Sequence, residues 1–353
     1  MIAGPMLLVS GMFVFIRYLQ IIGHLTLTHR SFLFFFAMFV LMLFNGAILW
    51  SHDAILYTLF FAASIFVLLY VNWIFGPSFF WVAAIAVIGM LLSFIVVHGF
   101  PVGRWIGGIH PNHIGAFALL ATFFAARSEH SLRWMLYLIA ISFAVMVSSR
   151  YAMIAIAMIV FADYLSSMTR FSLPRAIGIV FLSATVFLAL LFGHEIIAQW
   201  LALQDSARGI ESGFTGRAEM WNNFVPQILE RPFLGFGFRQ RDLYLGTHNG
   251  FLNFALENGL IVTTLFLLAI LAIIKDGIAR LQKGDAPKRD TIVILASWGA
   301  WVFAAFFQPQ LVNFGDAFGI MTVFLLTAHV KWMVGNGKHK QMTKHSLRNS
   351  AFA

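Results

Sequence analysis

The sequence predicts an all-α, polytopic integral membrane helix bundle with one long loop, containing short helices, on the outer membrane face. Three observations predict it. Of the 353 residues, 60% are hydrophobic and only 10% charged, more apolar surface than a water-soluble domain can hide. The apolar residues fall into about eleven runs, most of them near the ~20 residues a helix needs to cross a bilayer core. The basic residues gather in alternate connections, as the positive-inside rule requires.

The predicted spans, in order, are 5–22, 32–50, 53–74, 79–98, 112–127, 133–148, 151–165, 175–193, 249–274, 291–307 and 317–333. The first run lacks a basic start and continues into further spans, so it reads as a membrane helix rather than a cleavable signal. Runs 112–127, 133–148 and 151–165 are short, which suits tilted or re-entrant helices. The chain thus divides into a bundle of about eight spans at 1–193, a loop at 194–248, about three more spans at 249–333 and a basic tail at 334–353. Placing the loops near 24–31, 72–78, 127–132, 166–174 and 275–290 and the tail in the cytoplasm puts 15 Lys and Arg there, against seven on the other side. The N-terminus is then outside, and the 55-residue stretch 194–248 is the one large outer segment. There is no internal repeat. Cysteine is absent, which excludes disulfides and thiolate metal sites. The net charge of +9 is dispersed between apolar runs, which argues against a nucleic-acid partner.

The side assignment exposes an asymmetry. All seven lysines fall on the cytoplasmic side, whereas the outer basic residues are all arginine: Arg104, Arg150, Arg208, Arg217, Arg231, Arg239 and Arg241. Guanidinium offers a planar fork of donors that matches paired phosphate or carboxylate oxygens, which an ammonium does not. Interfacial snorkelling accounts for any single arginine. The set points to an anionic group presented at the outer face, and a lipid diphosphate is the anion that lives there.

Within the long loop, Thr215-Gly216-Arg217-Ala218-Glu219-Met220-Trp221 opens a helix that Thr215 caps, and Glu230-Arg231-Pro232 closes it. Its apolar stripe, Trp221, Val225 and Ile228-Leu229, lays it on the membrane surface with Arg217 in the first turn beside free backbone N–H groups. Phe233-Leu234-Gly235-Phe236-Gly237-Phe238 reads as a tight bend at the bilayer edge, or as a plain loop with aromatic anchors. His248, before Asn249-Gly250 and a strongly apolar run, sits at the mouth of a membrane helix, where an imidazole can accept a proton near neutral pH. His110-Pro111-Asn112-His113 has metal-pair spacing, but Asn112 capping a helix after a proline turn explains it better. The loop acids are scattered, so no metal and no cofactor is expected. Asp163 is expected to snorkel from the cytoplasmic end of its helix, and Arg17 and Asn45 to face neighbouring helices. Glu257 lies about 13 Å down its helix from His248 at 1.5 Å per residue, too deep to share its proton.

Taken together, Gly216-Arg217 with Trp221, Pro232-Phe233-Leu234-Gly235-Phe236-Gly237, and His248-Asn249-Gly250-Phe251-Leu252 with Glu257-Asn258-Gly259-Leu260 resemble the O-antigen ligase and polymerase superfamily. Pro111-Asn112 with Ala116 and Ser148-Ser149-Arg150 resemble two further motifs of that family, so the resemblance covers roughly 105–265. It implies a multi-pass glycosyltransferase of the bacterial inner membrane, usually of twelve spans, so that the first helix would be missing here. Such enzymes move a glycan from undecaprenyl diphosphate at the periplasmic face. Ligases pass it to the lipid A core in lipopolysaccharide biosynthesis; polymerases, of O-antigen or exopolysaccharide, pass it to another lipid-linked repeat.

On this resemblance, Arg150 and Arg217 would clamp the diphosphate and His248 would act as general base on the acceptor hydroxyl, inverting the anomeric centre without a metal. Asn249 and Glu219 would orient neighbouring groups. Arg239 or Arg241 would meet the sugars or the second phosphate, and Trp221 and Arg104 complete the expected substrate-binding set. The rival from another class, a transporter or flippase of lipid-linked sugars, predicts broken helices in paired repeats with midplane charges, and the sequence contains no such repeat.

Overall fold

A computed structural model describes residues 30–74, 76–101, 105–167, 213–239, 248–284, 288–308, 311–312 and 316–328. The expected spans 5–22 and 175–193, Arg17, Arg104, Arg208, Arg241 and the basic tail lie outside them. The described residues are helical, with no strand among them and one isolated bridge, between Ile106 and Ile109.

The helices are α1 Arg30–Ile48, α2 His52–Ile74, α3 Pro77–His98, α4 Pro111–Arg127, α5 Arg133–Met146, α6 Arg150–Ser166, α7 Gly213–Glu230, α8 Gly250–Lys283, α9 Lys288–Ala305 and α10 Ala317–Ala328. Each expected run is a helix over its described residues; most edges move by three residues or fewer, and α8 runs nine residues past the expected end at 274. Two, α3 with 22 residues and α8 with 34, are long and apolar enough to cross a membrane. Large apolar side chains also face outward along α1, α3, α5, α6 and α8, among them Phe36, Val82, Leu138, Phe161 and Leu271. In water such continuous apolar faces would drive aggregation; in lipid they are solvated.

Helix α4 is the axis. Fourteen of its 17 residues are buried, and it packs against α3, α5, α6, α9 and α10. Its small residues, Gly115, Ala116, Ala118, Ala121, Ala125 and Ala126, let neighbouring backbones approach closely, the usual device where lipid offers no hydrophobic drive for association. Around it, α6 packs on α9, α1 on α8, and α2 on α10.

One end of the bundle is locked by charge. Asp163 is fully buried; Arg133 Nε donates to its Oδ2 at 2.7 Å and Arg289 Nε to its Oδ1 at 2.7 Å, while Tyr137 Oη donates to Oδ2 at 2.9 Å. Arg289 Nη2 also donates to the carbonyls of Ala126, at 2.8 Å, and Ser128, at 3.1 Å, closing the end of α4. Arg127 pairs with Asp290 at 2.9 Å. The expectation that Asp163 snorkels is corrected. Three helices, α5, α6 and α9, converge on its carboxylate, and a buried charge persists only when so matched.

Helix α8 is broken at Gly259, whose φ of 78° and ψ of 169° are open only to glycine. The chain leaving α7 fills the break. Phe236 N donates to Leu256 O at 2.9 Å, Gly237 N to Glu257 O at 2.8 Å, and Leu260 N to Pro232 O at 2.6 Å. Asn45 of α1 donates through Nδ2 to Leu234 O, and Phe238 packs between Phe61 and Phe254. The Phe233–Phe238 stretch is thus not a bend at the bilayer edge. It is inserted into the bundle, where the backbone groups freed by the break must find partners. Asn45 meets this inserted loop rather than a neighbouring helix.

Candidate functional site

The opposite end, which the charge pattern assigns to the outer face, gathers the starts of α4, α6, α8 and α10 and the end of α9. Helices α5 and α6 are joined by a tight turn. Val147 N donates to Phe143 O at 3.1 Å, Ser148 N to Val145 O at 2.9 Å and Ser149 N to Ala144 O at 2.9 Å, with Ser148 held at φ 54°. This turn makes Arg150 the first residue of α6, half-buried. Tyr151, the next residue, donates through its hydroxyl to Asn112 O at 2.6 Å and stacks on Phe307 at 6.5 Å. Arg150 is thereby fixed between α4 and the end of α9.

His248 precedes α8. Asn249 caps that helix, its Oδ1 accepting from Phe251 N at 3.0 Å and Leu252 N at 3.2 Å. The side chain expected to orient substrate therefore works structurally, anchoring the residue that carries the imidazole. His248 is held at φ 43°, a left-handed conformation that needs such anchoring. The next residue, Gly250, lies against Leu311 and the carbonyl of Gln308, leaving no room for a Cβ there. Phe251 meets Phe306 at 5.3 Å and Trp301 at 5.8 Å. Phe307 thus touches the start of α6, and Phe306, Gln308 and Leu311 the start of α8, so that Arg150 and His248 lie at one end of the bundle. Asn249→Ala should lower stability by about 1 kcal/mol, the usual cost of a lost cap. It should lower glycan transfer by more than the melting shift explains, as the imidazole loses its anchor. Thermal melting and initial rates on the same purified sample check this.

The other expected residues divide. Helix α7 begins at Gly213, so Thr215 does not cap it and Arg217 falls in its second turn rather than its first. The free N–H groups of the helix start therefore lie ahead of Arg217, and the guanidinium alone carries its expected role. Glu219 is one turn ahead of Asn223 on the same helix. Trp221 is half-buried. The expected stripe splits. Ile228 packs with Ala255 and Leu256 of α8, while Val225 and Leu229 stay exposed. Arg239, at φ 60°, lays its guanidinium 4.4 Å from the ring centre of Tyr57 on α2. Arg231 likewise covers Phe236 at 4.9 Å.

Sequence reasoning missed Asp316. It stands just before α10, with its Oδ1 3.6 Å from His113 Nδ1. It also misjudged the start of α4. The cap is His110, whose Nδ1 accepts from Asn112 N at 3.1 Å, and not Asn112. An acid one residue ahead of an apolar run was the available signal for Asp316; nothing local connects it to His113. Among the described residues no three His, Asp or Glu cluster as a metal site would require.

The described residues form a helical bundle with lipid-compatible apolar faces, and the starts of α6 and α8 meet at one end of it. Residues 116–267, less than half of the chain, match the family whose description is O-antigen ligase. The family is membrane-integral, and its substrates are lipid-linked glycans. The matched segment runs from α4 into α8 and includes Arg150, Arg217, the inserted loop and His248. No curated protein matches the chain.

Proposed function

We propose that this chain transfers a glycan from undecaprenyl diphosphate to an acceptor sugar at the periplasmic face of the inner membrane, as an O-antigen ligase acting on the lipid A core. The observation that carries this reading is the convergence of Arg150 and His248 at one end of the bundle, both within the residues matched to the family. The acceptor hydroxyl attacks the anomeric carbon as its proton passes to the His248 imidazole. The bond from that carbon to the phosphate oxygen breaks, and the electron pair leaves with undecaprenyl diphosphate. Arg150 and Arg217 take up the charge that develops on the diphosphate, and attack from the far side inverts the anomeric centre.

Arg217→Lys keeps the charge and loses the fork. It should cost about tenfold or more in kcat/KM, the loss of one charge-assisted hydrogen bond. Wild-type rates with purified lipid-linked donor and acceptor would rule out a bidentate clamp. The natural absence of cysteine permits a clean topology test. Glu230 is exposed, so a single Glu230→Cys variant should react in intact spheroplasts with a membrane-impermeant maleimide. Labelling only after the membrane is opened would place this loop in the cytosol and end the reading.

A further inference from the structure

Beside the Arg150 and His248 residues lies a second group that the donor chemistry does not use. Its members, Trp105, His110, His113 and Asp316, all fall outside the matched segment 116–267. Trp105 is 48% exposed and meets the His110 ring edge-on at 5.0 Å. The His110 ring lies 6.2 Å from that of His113. The His113 side chain is 54% exposed, while Asp316, which it faces at 3.6 Å, is 8% exposed. Two further polar groups are buried at this end without a hydrogen-bond partner among the described residues: Gln308 Nε2 on the segment against Gly250, and Ser149 Oγ ahead of Arg150. Asp316 Oδ1 also makes no hydrogen bond among them.

An exposed indole face and a carboxylate-backed imidazole are what a neutral pyranose ring requires. Its C–H face packs on the aromatic ring, and its hydroxyls need a donor and an acceptor at fixed positions. Helix α10, which Asp316 precedes, is anchored to α9 and to Leu311. Trp301 Nε1 donates to Thr322 Oγ1 at 2.6 Å, the Thr322 hydroxyl lies 2.7 Å from Leu311 O, and Trp301 stacks on Phe318 at 5.7 Å. We propose that Trp105, His113 and Asp316 form the subsite that holds the acceptor's sugar ring, on the α4 and α10 side of the reacting centre. The assignment rests on the glycan-transfer reading for its place in the reaction. The saccharide-binding chemistry stands by itself.

The test uses the full-length protein in detergent, with two probes: the oligosaccharide of the host lipopolysaccharide core, and the repeat-unit oligosaccharide, both freed of lipid. Saturation-transfer NMR without donor should show one of them bound by the wild type and lost in Trp105→Ala, His113→Gln and Asp316→Asn. Core binding marks a ligase acceptor; repeat-unit binding marks a polymerase acceptor. In transfer assays the acceptor KM should rise about tenfold in each variant, the cost of about 1.4 kcal/mol of ground-state binding, while the donor KM stays put. A merely structural role would move both KM values together and lower the melting temperature. Because Trp105 is half-exposed, its truncation keeps the test informative even where Asp316→Asn fails to fold. Oligosaccharide binding by the wild type without any transfer would count against the enzymatic reading and leave the subsite standing. Failure of the wild type to bind either probe, or unchanged acceptor KM in all three variants, would overturn the subsite.

Discussion

His248→Ala should lower glycan transfer by about 10²–10⁴-fold, the usual worth of a positioned general base, with little change in melting temperature. The asymmetry of effect follows from where the residue sits. His248 lies outside α8 and ahead of its cap, and Asn249 continues to accept from Phe251 N and Leu252 N after truncation. The loss should appear in kcat at saturating acceptor and donor, since a base acts in the transition state and not in the ground-state complex. Purified protein, lipid-linked donor and a defined acceptor make the measurement direct. Transfer that survives at close to the wild-type rate removes the base from this position, and with it the assignment of the reacting centre to the start of α8.

The second large effect is on the fold. Gly259→Ala puts a Cβ onto the Phe233 carbonyl in a backbone conformation closed to alanine. Either α8 straightens, or the inserted loop is expelled. Both outcomes break the hydrogen bonds from Phe236 N, Gly237 N and Leu260 N. Each is worth about 1 kcal/mol net in water and more where no water can replace it, so a loss of about 3 kcal/mol or more is expected. Gly235 faces the same backbone from the other side, at φ 64°, with Glu257 O and the Gly259 amide in the way of a side chain. Gly235→Ala should therefore behave alike. Unfolding by titrated denaturing detergent, followed by tryptophan fluorescence, reads the change. A Gly259→Ala protein as stable as the wild type would show that the break is not held by the loop. Transfer should fall with stability here, because the loop joins α7, which bears Arg217, to the half of α8 that follows His248.

These two predictions differ in how far the sequence alone anticipates them. The candidate base was legible because its context is local: an imidazole, an asparagine and a glycine ahead of an apolar run. The same holds for Arg150, which follows a Ser-Ser pair between two apolar runs, and for the end of α7 at Glu230-Arg231-Pro232. The break at Gly259 was not legible. Glu257-Asn258-Gly259 was visible as a motif, yet within an apolar run a glycine signals nothing about what fills the gap. The clamp on Asp163 was read as snorkelling for the same reason. Arg133 lies a helix away and Arg289 far along the chain, and only packing unites them.

By itself, the sequence determined the solvent and the elements and carried the family resemblance. Mean hydropathy of +0.86 admits no solvent but lipid for most of the chain, and lipid in turn forces each run to satisfy its backbone as a helix. The tertiary structure alone decided which polar groups meet: Asp163 with two arginines, the Pro232 loop with the break in α8, His113 with Asp316. Backbone satisfaction within a helix depends on residues four apart, so it can be read along the chain. A buried polar side chain must find its partner wherever packing brings one, and sequence distance carries no record of that encounter.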